Sequence, residues 1–235
     1  MKQFSTAVLK THQLKQSEVR ERIFAPAGKR LAITLPGISA KRIFDIIVAS
    51  CAVVVVAPLM VLVAAAISFD SPGSPLFSQD RFGRDGQLFR LWKFRTMHVT
   101  LSDRSGGQRT LARDPRVTRI GRMLRRTSID ELPQLFNVLM GQMSLVGPRP
   151  HTPQMLVNGR FYHEVVLNYH LRHGVLPGLT GWAQVNGSRG EIDTLDKASR
   201  RVALDLWYVE NRSAYLDLKI IARTITGGFL SLRAD

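Results

Sequence analysis

"IIVASCAVVVVAPLMVLVAAAI", residues 46–67, is a run of twenty-two residues without a charge, interrupted only by Ser50 and Pro58. As a helix rising ~1.5 Å per residue, it is long enough to cross the hydrocarbon core of a bilayer. It exceeds the apolar core of a cleaved leader, and more than 40 residues precede it, where a leader has only a short basic start. A soluble domain of this size rarely buries so long an uncharged helix. The expectation is membrane insertion.

The flanking charges constrain how the segment inserts. Lys41 and Arg42 stand directly before the run, and residues 81–126 after it carry 13 Lys/Arg against three Asp/Glu. Basic flanks favour the cytoplasm, so both ends point to one face, which a single straight crossing cannot satisfy. Pro58 lacks an N–H and its ring opposes the carbonyl of Val54, which predicts a kink there. A helix that enters the bilayer, bends at Pro58 and returns to the cytoplasmic face reconciles the charges with the proline. The competing arrangement is a one-pass anchor with an exported N-terminal tail.

The whole chain of 235 residues has a formal charge of +15 and a single cysteine, Cys51. The charge implies an anionic partner: nucleic acid, an acidic membrane surface or a phosphorylated substrate. One cysteine excludes a disulfide framework and fits a reducing compartment. Residues 1–40 read as a flexible basic arm able to touch anionic lipid headgroups. Residues 41–70 form the membrane segment, closed by the turn formers "DSPGSP", and residues 71–235 remain for a catalytic or binding domain.

Within that domain "LFSQDRFGRDGQLFRLWKFRTM" predicts a two-stranded ribbon turning at Asp85-Gly86. "HVTLSDRSGGQRTLARDP" reads as a mobile loop, and "VTRIGRMLRR" as the entry to a helix. Another helix opens near Pro133 and stops at Gly141. Three prolines and a glycine make "SLVGPRPHTP" a rigid irregular loop. "MLVNGRFYHEVVLNYHLRH" reads as largely helical, and "GVLPGLTGWAQVNGSRG" as a glycine-rich loop with short extended pieces. "DTLDKASRRVALDLWYVENRS" and "AYLDLKIIARTITGGFL" are helical by period, the second apolar enough to lie against the membrane. The fold class expected is α+β, mainly helical: a re-entrant membrane helix and a cytosolic-face domain with a small β-hairpin.

The candidate chemistry centres on Asp130 and Glu131. Ser128-x-x-Glu131 fits a capping box, but Pro133 would then oppose the carbonyl of Ile129. A cap at Asp130 instead puts Pro133 in the first turn, where its missing N–H costs nothing. Both acids would then sit at the positive end of a helix, a geometry suited to an ionised pair or to Mg²⁺ holding a diphosphate. Arg113, Arg116, Arg119, Arg122 and Arg125 recur every three residues before the pair, followed by Arg126. A three-residue step cannot keep all of them on one helix face, so some would point at lipid headgroups and some at the acids. Arg149, between the prolines of "GPRP", is a stiff forked cation suited to phosphate oxygens; Lys93 on the ribbon is a further candidate. His151, His163, His170 and His173 lack the tight spacing of a zinc site. No Walker loop or G-x-G-x-x-G stretch is present, nor a stacking motif or recognition helix for nucleic acid.

Taken in order, "KRIFDIIVA", "RFGRDGQLFRLWKFRTM", "RRTSIDELPQLFNVLMGQMSLVGPRP", "LPGLTGWAQVNG" and "LDLWYVENRSAYLDLKII" closely resemble the bacterial sugar transferases. These are the monotopic phosphoglycosyl transferases that start polysaccharide and glycoconjugate assembly, here of the short exopolysaccharide-initiating type. The likeness runs from about Lys41 to Ile221. It implies a monotopic protein of the bacterial inner membrane, with its active site on the cytoplasmic face. It also implies transfer of a sugar 1-phosphate from a UDP-sugar to undecaprenyl phosphate, with release of UMP, and no nucleic-acid partner. Asp130 matches the family's nucleophile, which forms an aspartyl phosphosugar, and Glu131 its partner in holding Mg²⁺. Lys93, Arg149, Pro150 and Asp205 match other functional positions, and Arg125 and Arg126 lie beside the acids. Two positions depart from the pattern: Ala57 stands where relatives often have serine before Pro58, and Leu176 where they often have a basic residue before Pro177. Galactose or glucose is the sugar expected; the oligomeric state is left open.

Overall fold

The computed structural model describes residues 39–103, 107, 110–111, 114–190 and 192–230. The basic arm over residues 1–38 and Arg113 lie outside the described residues. Helix α1, Ala40–Asp70, carries the apolar run and continues through Pro58. Among the described residues it is the one helix long and apolar enough to cross a membrane. Ser39 caps its start, accepting a hydrogen bond from the Arg42 backbone N–H at 3.2 Å. Val54, Val55, Val61, Leu62 and Phe69 are exposed along it, while Ala49, Met60, Val63 and Ile67 are buried.

Both ends of α1 are tied to the same body. At the start, Lys41 pairs with Asp217 at 2.6 Å, and Arg42 donates to the Val138 and Leu139 carbonyls at 2.6 and 2.9 Å. One turn on, buried Asp45 accepts from the Ser144 hydroxyl at 2.7 Å and the Leu145 N–H at 3.3 Å. At the far end Arg95 gathers the carbonyls of the last helical turn and of the turn that follows it: Ser71 and Pro72 at 2.7 Å, Gly73 at 3.2 Å and Ile67, which also accepts from the Ser71 N–H, at 3.5 Å. Replacing Arg95 with methionine leaves the buried Ser71 carbonyl without this donor and removes the bonds to Pro72 and Gly73. The expected loss is ~2–4 kcal/mol, a fall in Tm of roughly 5–15 °C in a detergent thermal melt.

Strands β1 (Leu76–Phe82) and β2 (Leu88–Phe94) form the expected antiparallel ribbon, registered from Leu76 against Phe94 to Phe82 against Leu88. Asp85 and Gly86, at φ +56° and +74°, supply the left-handed residues that turn it. Helix α2, Arg119–Thr127, is capped by Thr118 and presses its Gly121 onto the chain after β2. A Cβ at Gly121 would stand 2.1 Å from the Thr96 carbonyl oxygen, so only glycine allows this approach. Ser128, left-handed at φ 56°, ends α2, and a tight 3₁₀ turn over Ile129–Glu131 leads into α3, Gln134–Leu139.

This corrects the expected cap. Asp130 lies inside the 3₁₀ turn, no side chain caps the turn or α3, and Pro133 occupies the residue before α3. The left-handed Ser128 redirects the chain so sharply that the acids precede the helix instead of starting it. The dipole of a six-residue helix is therefore not what holds them.

Strand β3 (Ser144–Val146) pairs in parallel with β6 (Gly178–Thr180). Between them "MLVNGRFYHEVVLNYHLRH" is not one helix. Asn158 and Gly159, both at positive φ, turn the small hairpin of β4 (Leu156–Val157) and β5 (Arg160–Phe161). A single helical turn follows, α4 (Tyr162–Val165), then left-handed Asn168 and a 3₁₀ stretch over Tyr169–Gly174. Asn-Gly is a strong hairpin signal, and it overrides the helical spacing of the apolar residues. Helices α5 (Trp182–Val185), α6 (Leu195–Asn211) and α7 (Ala214–Leu230) complete the fold, the last two as expected.

Three apolar clusters hold these elements. Ala49 of α1 packs with Val138, Met143, Val146, Tyr208 and Ile220. Met60, Val63 and Ile67 meet Phe94 and Leu124. Val157, Tyr162, Tyr169, Ala198 and Val202 bind the small hairpin to α6. The first two clusters seat α1 against the domain, and the space between the ribbon, α2 and α6 is left as a cavity.

Candidate active site

The cavity has a volume of about 530 Å³ and is lined by residues that include Arg81, Lys93, Arg125, Asp130, Glu131 and Arg149. They reach it from four parts of the fold. Arg81 and Lys93 come from the ribbon, Arg125 from the last turn of α2, the acids from the 3₁₀ turn, and Arg149 from the loop after β3. That loop is set by close backbone packing, since a Cβ on Gly178 would lie 2.0 Å from the Gly147 nitrogen.

Glu131 is committed to cations. Arg149 grips its two oxygens in a forked pair, through Nη2 to Oε1 and through Nη1 to Oε2 at 3.1 Å. Lys93 Nζ stands 3.4 Å from Oε1. Burial opposes the charge on Glu131, but Arg149 and then Lys93 more than offset it, holding the carboxyl below its ordinary range. Glu131 in turn raises Arg149. The Lys93 ammonium is pushed down, because burial outweighs the attraction of Glu131.

Asp130 differs. Its carboxylate has no hydrogen bond or ion pair among the described residues, although only 8% of the residue is exposed. Burial raises its pKa; Lys93 opposes the rise and neighbouring Glu131 adds to it. Adjacent acids are thus driven apart: one clamped and ionised, the other basic and uncommitted. Separated pKa values of this kind assign different roles to two carboxylates.

Pro150 is buried in the cavity wall next to Arg149, and Arg125 donates to the Thr96 hydroxyl at 2.8 Å. Arg126, though adjacent in sequence, is exposed and absent from the wall, as are Arg119 and Arg122. Asp205 lies behind the wall, 2% exposed, where it accepts from Arg172 Nε at 3.0 Å and Nη2 at 2.7 Å. Arg172 Nη2 also donates to the Arg149 carbonyl at 2.6 Å. Asp205 therefore acts on the site through Arg172, which holds the backbone that carries Arg149. The sequence does not single out Arg81, Arg172 or Arg201: none stands in a local pattern that marks a site, and only tertiary packing brings them here.

Among the described residues no three His, Cys, Asp or Glu side chains gather as a metal cage. The donor set fits a different mode. Mg²⁺ takes one or two carboxylates and completes its shell with water and substrate phosphates, and Asp130 and Glu131 offer that number of carboxylates beside an anion-ready wall.

Comparison with known proteins adds to this geometry. The model of the family described as bacterial sugar transferase matches residues 37–231. An undecaprenyl-phosphate glucose phosphotransferase of Komagataeibacter xylinus is 53% identical over 83% of this chain and 36% of its own length. A UDP-glucose:undecaprenyl-phosphate glucose-1-phosphate transferase of Escherichia coli (strain K12) is 46% identical over 83% of this chain and 41% of its own. An exopolysaccharide production protein PSS of Rhizobium leguminosarum bv. phaseoli is 49% identical over 79% of this chain and 92% of its own. The chain thus spans less than half of the first two relatives and nearly all of the third.

Proposed function

This chain belongs to the bacterial sugar transferase family, and on that premise we propose that it transfers a sugar 1-phosphate from a UDP-sugar to undecaprenyl phosphate, releasing UMP. The observation that carries the reading is Asp130: a buried, basic, uncommitted carboxylate in a cation-rich cavity, beside an acid already neutralised by arginine and lysine. In the reaction an Asp130 oxygen bonds to the phosphorus that bears the sugar. The bond from that phosphorus to the bridging oxygen breaks, and UMP leaves with the electron pair. An oxygen of the lipid phosphate then attacks the same phosphorus, and the aspartate is released. Lys93 and Arg149 cancel the repulsion between carboxylate and diphosphate. When bound, Mg²⁺ held by Asp130 and Glu131 supplies further positive charge at the diphosphate oxygens.

The UDP-glucose in the name of the Escherichia coli relative and the glucose in that of the Komagataeibacter xylinus relative make UDP-glucose the first substrate to test. Purified protein in detergent, given UDP-glucose, Mg²⁺ and undecaprenyl phosphate, is expected to release UMP and form a lipid-linked glucose phosphate in equal amounts. UMP without lipid product, or neither with any UDP-sugar, contradicts the transfer. The pH profile is a second check. Protonated Asp130 cannot attack, so the rate rises with pH through the raised pKa of this group. Bound Mg²⁺ would favour the ionised form, so the acid limb of kcat/KM is expected to move to higher pH as Mg²⁺ is lowered, towards the position above the ordinary carboxylate range that burial sets.

The membrane arrangement follows the same reading. In it the catalytic domain sits on the cytoplasmic side of the inner membrane and α1 returns to the face it left by the expected bend at Pro58, a reading supported by the docking of both helix ends on one domain. Exposed Arg119, Arg122 and Arg126, with Met123 beside them, Phe136 on α3 and Met140 just after it, meet anionic headgroups there. Single-cysteine labelling at Lys41 and Ser71 in a Cys51-free background is expected to reach both only from the cytoplasmic side. Labelling of either from the periplasm contradicts the bend.

A further inference from the structure

Arg81 and His151 line the cavity without a part in the steps above. They are neighbours: the Phe82 N–H donates to the His151 carbonyl at 3.0 Å, joining the end of β1 to the loop that carries Arg149. Arg81 is a half-buried guanidinium with no ion pair among the described residues. Its hydrogen bonds go to neutral acceptors, the Gln79 side-chain oxygen at 2.6 Å and the Pro150 carbonyl at 3.4 Å. Its Nε–H is buried with no partner. Glu131, the nearest influential carboxylate, is already gripped by Arg149 and Lys93.

His151 adds a second open donor. Its Nδ1 lies 3.2 Å from Arg172 Nη1, and a guanidinium can only donate. Nδ1 is therefore the acceptor, and Nε2 carries the proton of the neutral ring. Nε2 is buried and unpartnered as well. Burial and then Arg172 hold the ring far below its ordinary pKa, so it stays neutral. Two buried donors without acceptors are costly in a folded protein, and their shared wall calls for a ligand that offers acceptors only and carries negative charge.

We propose that Arg81 and His151 form a donor-only subsite that binds phosphoryl oxygens, separate from the Arg149–Glu131–Lys93 cluster. Resting on the transferase reading, this adds two substrate-binding residues. The phosphoryl group is either the donor's diphosphate or the acceptor's monophosphate, and the kinetics of the two half-reactions separate these sources.

The test compares the full chain with Arg81→Gln, Arg81→Lys and His151→Phe in detergent. UDP and inorganic pyrophosphate are the binding probes, and UMP release from UDP-glucose, with and without undecaprenyl phosphate, is the kinetic readout. Arg81→Gln is expected to weaken binding of the probes or raise the KM for one phosphoryl substrate roughly 10- to 100-fold. Arg81→Lys recovers part of the loss, and His151→Phe loses several-fold. The ligand-free Tm of Arg81→Gln stays level or rises, because a half-buried cation without an ion pair has been removed. A change confined to UMP release without lipid assigns the subsite to the donor; one confined to the KM for undecaprenyl phosphate assigns it to the acceptor. Unchanged affinities for all probes and substrates overturn the subsite, as does a lowered Tm with unchanged affinity. Arg81-dependent UDP binding by a wild-type protein that forms no lipid product keeps the subsite and rejects the transferase reading instead.

Discussion

Asp130→Asn is expected to lower sugar-phosphate transfer by on the order of 10⁴-fold or more while raising the Tm. Both effects have one origin. Asn is nearly isosteric, so the turn over Ile129–Glu131 and the Glu131–Arg149 fork remain, but the nucleophilic oxygen is gone. The wild-type carboxylate is buried without a hydrogen-bond partner among the described residues, and burial raises its pKa above that of the unfolded chain. For such an acid, ionisation opposes folding above the raised pKa, and the opposition fades as pH falls to the unfolded value. At neutral pH the neutral amide therefore stabilises the fold, by roughly 2–4 °C in Tm for each kcal/mol gained. As pH is lowered through that window, the Tm of the wild type should approach that of the variant. A protein whose activity and Tm both fall on this substitution would place Asp130 in the framework instead.

The second large effect concerns Asp205. Removing it alone, as Asp205→Leu, leaves the Arg172 guanidinium buried at 1% exposure without its counter-charge. The expected cost is ~3–5 kcal/mol, or roughly 6–20 °C in Tm. Arg172→Met should cost a similar amount. The double variant Asp205→Leu/Arg172→Met replaces the pair with apolar groups and should recover most of the stability. It should not recover activity, because the Arg149 carbonyl still lacks its 2.6 Å donor and the fork on Glu131 loses its support. Additive stability losses in the double variant would show that the two residues do not act as a pair. Full activity in it would show that Arg149 needs no such anchor.

How much of this was legible in the sequence follows from how local each signal is. The apolar run, the Asp85-Gly86 turn and the periodic helices α6 and α7 are patterns of near neighbours, and they appear where the chain predicts them. The adjacent acids and the stiff "GPRP" arginine were legible for the same reason, and the fold brings them to one cavity. The sequence could not show the left-handed Ser128, which moves the acids ahead of α3, because no residue type there requires positive φ. The arginine series was only half informative. Arg116, in the turn before α2, and Arg125 on its last turn line the cavity, while Arg119, Arg122 and Arg126 are exposed on the helix and absent from the wall. Asp205 and Arg172 pair across 33 residues, and Arg81 meets His151 across a different loop. Contacts of that range leave no spacing to read. The Asn158-Gly159 hairpin was a legible signal that apolar spacing outweighed in the sequence reading.

The central claim is that Asp130 carries the phosphosugar. The most direct measurement gives the purified protein Mg²⁺ and UDP-glucose labelled in the sugar, without lipid acceptor, followed by an acid quench at short times. The expected result is label bound to the protein, one UMP released for each label, discharge of the label on adding undecaprenyl phosphate, and none of it in Asp130→Asn. Lipid product formed by a wild type that never carries label, or label that persists in Asp130→Asn, would contradict it.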